Sequence, residues 1–144
     1  MIRIFKNMSL AGYAAILLGV TGNVRADMAK EVVWPADKIS FMEVMPGISK
    51  AVLWQTPTGA YAALTRLAPN TQNPLHTHTH TIKMVIISGS WNYGTESGVM
   101  KLGPGSYLVV PGGRKHTSGS GPEGVLFFEE SDGAFDLIPV KKAL

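Results

Sequence analysis

The sequence contains no cysteine. Exported domains of this size often rely on disulfides, so this chain must hold together by packing alone. The absence also limits any metal site to imidazole, carboxylate and water. Histidine is nearly as scarce, with four in 144 residues. The one apolar run of any length, Leu10 to Val20, is short of the roughly 20 residues that a membrane helix needs. No basic cluster exceeds "RK" or "KK", and basic residues do not interleave with aromatics, which argues against a nucleic-acid partner. No serine sits in a nucleophile elbow and no Gly-rich loop joins a strand to a helix, so hydrolase triads and nucleotide binding are set aside.

Positive charge is concentrated at the start. "MIRIFKNMSLAGYAAILLGVTGNVRAD" opens on Arg3 and Lys6, continues apolar, and ends with the small residues Val24 and Ala26 before Asp27. That is the layout of a secretory signal peptide spanning residues 1–26. It predicts a periplasmic or secreted protein with no membrane attachment after cleavage. The signal holds three basic residues and no acid, and the remainder carries ten of each sign. The mature chain is therefore formally neutral.

Residues 27–144 are expected to form one domain. From Ile39 onward the chain falls into short apolar or alternating runs: "ISFMEVM", "KAVLWQT", "AYAALTRLA", "LHTHTHT", "KMVIISGSWNY", "VMKL", "SYLVVP", "KHTSG" and "VLFFEES". Breakers rich in Gly, Pro and Asn separate them, with hairpin turns expected at Gly59, Gly89, Gly98 and Gly121. Many brief strands with frequent turn signals predict an all-β sandwich or closed barrel.

Three of the four histidines lie in "NPLHTHTHTIKM" at every second position. In a strand, His76, His78 and His80 would share one face and Thr77, Thr79 and Thr81 the other. Imidazoles at i and i+2 converge without distorting the backbone, and neutral imidazole is the commonest metal ligand. A polar, solvent-facing edge is the plain alternative. The fourth histidine decides between them. "GSYLVVPGGRKH", Gly105 to His116, fits the pattern G-x5-P-x-G-x2-H at every position. Together with His76-x-His78 and Gly89, it resembles the two motifs of the cupin superfamily from about residue 56 to residue 130.

The resemblance implies a cupin-type double-stranded β-helix, a jelly-roll barrel, with a divalent transition metal (Zn, Fe, Mn, Ni or Cu) on His76, His78 and His116. Three departures stand out. The family's glutamate ligand falls at Ile82 or Lys83, the glycine before the first histidine is Asn70, and the closing asparagine is Ser120. His80 is a further candidate ligand or pocket donor. Lys83 either faces solvent or replaces the lost charge. The overall pattern is also similar to an uncharacterised cupin subgroup and to the cupin half of zinc-binding anti-sigma factors.

Tyr107, Trp91, Tyr93, Tyr61 and Trp54 could line a pocket, although core packing is the ordinary use of aromatics in a barrel. Glu129 and Glu130 follow an apolar run, so alternation turns one inward and the other outward, and an inward Glu129 could act as a base or replace the missing ligand. The expected function is an exported cupin that binds a metal and takes a small-molecule ligand. The alternative is a metal-dependent enzyme, dioxygenase-, isomerase- or lyase-like, acting on a small organic substrate. The strand "ISFMEVM" could pair edge to edge in a homodimer.

Overall fold

The computed structural model describes residues 31–141, so the expected signal peptide lies outside the described residues. The chain divides into two units, Met1–Val33 and Trp34–Leu144, and the second carries every described strand. After one turn of 3-10 helix at Ala36–Lys38 come nine strands: β1 Met42–Met45, β2 Ile48–Gln55, β3 Tyr61–Leu67, β4 Gln72–Thr77, β5 Ile82–Thr95, β6 Gly98–Leu102, β7 Tyr107–Val110, β8 His116–Ser131 and β9 Ile138–Pro139. All pairings are antiparallel. The fold is the all-β jelly-roll barrel expected from the sequence.

Two long strands organise it. β5 and β8 pair with each other along most of their length, and each passes from one side of the barrel to the other. The first part of β8 also pairs with β4 and its last part with β3. β5 pairs first with β7 and then with β6. The local sequence predicts a break in β8 at "SGPEG" and hairpin turns at Gly89 and Gly121. Both glycines lie within strands instead, and the register shifts beside Gly89. A bulge bends the paired strands there without ending them.

Only glycine meets the geometry at that bend. Gly89 has a φ of +75°, and a Cβ added to it would run into the main-chain carbonyl of Gly124. Gly89→Ala is therefore expected to lower stability by about 2 kcal/mol or more, as a left-handed backbone and an overpacked contact add up. Urea unfolding checks this, and an unchanged midpoint would contradict it.

Strict alternation builds the interior. Ile82, Met84 and Ile86 of β5 point inward with Val125 and Phe127 of β8, Ile48 of β2, Leu67 of β3 and Val110 of β7. Each fully buried side chain of this size contributes roughly 1.5–3 kcal/mol. The same alternation turns Lys83, Val85 and Ile87 outward. Asn70, at the motif's glycine position, is the one non-glycine residue with positive φ (57°) among the described residues. Asparagine tolerates the left-handed region better than other side chains, so this departure keeps the turn.

Candidate metal centre

His76 on β4 and His116 at the start of β8 are direct cross-strand partners. Their rings lie 4.2 Å apart, centroid to centroid. β4 ends at Thr77, and His78 just beyond it turns its ring to within 5.0 Å of His76 and 5.2 Å of His116. All three are buried, and one ring nitrogen from each lies within 4.8 Å of the others.

Hydrogen bonds set the orientation of every ring. His76 Nδ1 donates to the Pro74 carbonyl at 2.7 Å, and His116 Nδ1 donates to the Arg114 carbonyl at 2.9 Å. These are the same contact, made in each case to the residue two positions earlier in the chain. His78 Nδ1 instead donates to the carbonyl of Asp136, 58 residues away, at 2.6 Å. A carbonyl can only accept, so each neutral ring carries its proton on Nδ1 and leaves the Nε2 lone pair free. Metal-binding histidines characteristically have this support.

Burial favours the uncharged state. It pushes the His116 imidazole down from the ordinary 6.5 to about 4, against a raising effect of the Arg114 hydrogen bond, with His76 and His78 adding to the lowering. His76 and His78 shift the same way, again chiefly through burial. The folded metal-free chain thus binds protons less readily than the unfolded chain. Stability is expected to be full above pH 6.5 and to fall as the pH drops from 6.5 towards 4, levelling below that. Thermal melts across that range check the sign. A His76→Phe/His116→Phe variant should lose much of the slope.

The three rings share a cavity of about 40 Å³ with Lys50, Thr65, Trp91 and Glu129. Its remaining wall is mostly apolar, and Ile82 lies in it. The position where the motif carries glutamate is thus a hydrocarbon surface. Glu129 faces inward and is buried, as alternation allowed, and Glu130 faces out. Lys50 donates to Glu129 Oε1 and, at 3.1 Å, to Thr65 Oγ1. Thr65 donates in turn to Glu129 Oε1 at 2.7 Å. Register explains the triangle: Lys50 sits opposite Thr65 across β2 and β3, and Glu129 opposite Ala63 on the next strand. Burial pushes the Lys50 amine down to about 7. Sequence reasoning misses Lys50, although its phase with buried Ile48 on β2 is an available signal.

Other candidates fall outside this cavity. His80 is partly exposed, with Nδ1 3.5 Å from Asp132 Oδ1, because the chain bends after His78 and no longer alternates. Tyr107 is 63% exposed on the outer face of β7, and Trp54 is also exposed. Lys83 lies on the outer face of β5. Tyr93 is buried with its ring 5.3 Å from that of His116, and Tyr61 is buried with its ring 5.5 Å from Lys50 Nζ. Ser120 ties two loop residues together, since its hydroxyl donates to the Ala68 carbonyl and accepts from the Thr71 N–H.

The C-terminal segment closes one side. Asp136 accepts from the Thr79 N–H and hydroxyl, Asp132 accepts from the Thr81 N–H, and β9 pairs with β4 beside His76. Between these points Phe135 lies over Lys50 Nζ, 4.1 Å from its ring centroid, and 6.1 Å from the His78 ring.

This arrangement agrees with what the sequence matches. Residues 29–134 match the ChrR cupin-like domain family. The chain belongs to that family. Among solved structures, this cupin is similar to KdgF from a Halomonas species, with a TM-score of 0.60, 19% identity and coverage of 71% of this chain and 94% of that one. It is similar to the polyketide cyclase RemF from Streptomyces resistomycificus, with a TM-score of 0.66, 17% identity and coverage of 79% and 88%. A protein of unknown function with a cupin-like fold from Ralstonia eutropha JMP134 reaches 27% identity, with a TM-score of 0.62 and coverage of 75% and 76%. No curated protein matches the sequence.

Proposed function

We propose that this cupin binds one divalent transition metal on His76, His78 and His116 and presents it to a small molecule inside the barrel. The reading rests on one observation: three buried imidazoles have Nδ1 tied to carbonyls and Nε2 free, around a common point. Nitrogen donors suit zinc, iron, nickel and copper better than calcium or magnesium. Such a metal would supply Lewis acidity to an oxygen bound in the cavity. The chain's own contribution is to fix the ring orientations, exclude bulk water with Ile82, Met84 and Phe127, and hold a polar triangle at Lys50, Thr65 and Glu129.

Elemental analysis of protein purified without chelators, beside melting curves with added Zn(II), Fe(II), Mn(II), Ni(II) and Cu(II), tests this. One equivalent of metal is expected, with a stability gain of about 2.7 kcal/mol when free metal stands at 100 times its dissociation constant. Finding no metal and no melting shift would reject the reading.

Three imidazoles leave coordination positions open, which favours a second reading as a metal-dependent enzyme of dioxygenase-, isomerase- or lyase-like type. Oxygen uptake and substrate consumption by the metal-loaded protein separate catalysis from binding. Export through residues 1–26 belongs to the same proposal, and a mature N-terminus at Asp27 is the result expected from periplasmic or secreted material.

A further inference from the structure

No carboxylate in the cavity wall is free of a donor partner. Imidazole binds a metal in its uncharged form, and Ile82 stands where the motif carries a glutamate. Glu129 is the one carboxylate in the cavity wall among the described residues, and its Oε1 is already bound by both Lys50 and Thr65. With Lys50 protonated, the Lys50–Glu129 pair is net neutral. Asp136, whose backbone carbonyl holds His78, has both carboxylate oxygens occupied by Thr79. A divalent metal on the histidines would therefore bring two uncompensated positive charges into a largely apolar cavity, a costly arrangement. Two donors there also lack a partner. Trp91, in the same wall, leaves its indole N–H without a partner, and a protonated Lys50 has a third N–H beyond those given to Thr65 and Glu129.

We propose that the anionic ligand this cupin lacks is supplied from solution: a small oxyanion of the monocarboxylate class, held jointly by the metal and Lys50. The inference rests on the metal reading above. Cavity size limits the ligand, since about 40 Å³ corresponds to roughly three or four water-sized volumes. Formate, acetate and bicarbonate fit that limit, and an aromatic acid such as benzoate exceeds it. Binding is then reciprocal. The anion tightens the metal by the same factor as the metal tightens the anion.

The test uses the full mature chain loaded with Co(II) in a buffer of weakly coordinating anions, read by the visible absorption of the metal. Titration with formate or acetate is expected to change the spectrum saturably, and benzoate to leave it unchanged. Apparent Co(II) affinity should rise about 100-fold when the oxyanion reaches 100 times its dissociation constant. Lys50→Met/Glu129→Met, which removes the pair without stranding either charge, should retain Co(II) and bind formate about 10- to 100-fold more weakly. Ile82→Glu, which returns a carboxylate to the wall, should bind Co(II) with a spectrum indifferent to formate.

Co(II) bound with no response to any of the oxyanions overturns this inference and leaves the metal reading standing. Equal formate affinity in the Lys50→Met/Glu129→Met protein overturns the part given to Lys50. No bound Co(II) overturns both readings. If Ile82→Glu fails to fold, the titrations on the native chain and the double variant decide the matter.

Discussion

Replacing His116 by alanine is expected to weaken metal binding by more than about 100-fold, since loss of a supporting contact behind a ligand alone costs 10- to 100-fold. His116 enters from β8, on the far side of the His76 pairing, so the two residues left on the β4 side cannot enclose an ion between strands. A Zn(II) competition titration against a chromophoric chelator measures the loss. His80→Ala serves as the internal comparison and should bind Zn(II) as the native chain does, because its ring lies partly in solvent beside Asp132. Equal losses at 116 and 80 would mean that metal is held elsewhere.

The second large effect concerns stability. Lys50 and Glu129 are 6% and 2% exposed and bonded to each other. Glu129→Leu removes the counter-charge of a buried ammonium, and Lys50→Met strands a buried carboxylate. Breaking a buried pair in this way costs roughly 3–5 kcal/mol, whereas replacing both partners by hydrocarbon is often neutral or better. Each single variant should therefore lose most of the stability of a domain this small, while Lys50→Met/Glu129→Leu should regain much of it. Urea unfolding of the four proteins gives the coupling directly. Additive losses would show that the two side chains act independently despite their contact. A native sequence that keeps such a pair in a core where methionine and leucine would pack as well points to a use other than stability.

Much of the barrel could be read in the chain because its strands alternate faithfully. Ile82, Met84 and Ile86 announce an inward face, and His76 with His116 stand out because histidine is so rare. Three features escaped for physical reasons. Gly89 and Gly121 carry turn chemistry, but their neighbours find partners across β5 and β8, so pairing overrides the local signal. His80 follows the period-2 pattern, yet side chains of Asp132 and Asp136 capture the backbone of residues 79 and 81 and bend it away. Lys50 looks like an ordinary solvent-facing lysine until Thr65 and Glu129, 15 and 79 residues further on, are brought beside it. Long-range partners of this kind leave no mark in a local window.

The family match stops at residue 134, but Phe135, Asp136 and the β9 strand follow it. A protein shortened to that border would keep the barrel and both i−2 carbonyl clamps, on His76 and His116. It would lose the oxygen that steers His78, so one imidazole of three would rotate freely, and the aromatic cover over Lys50 would go as well. The family border thus runs between the candidate metal ligands and the residue that orients one of them.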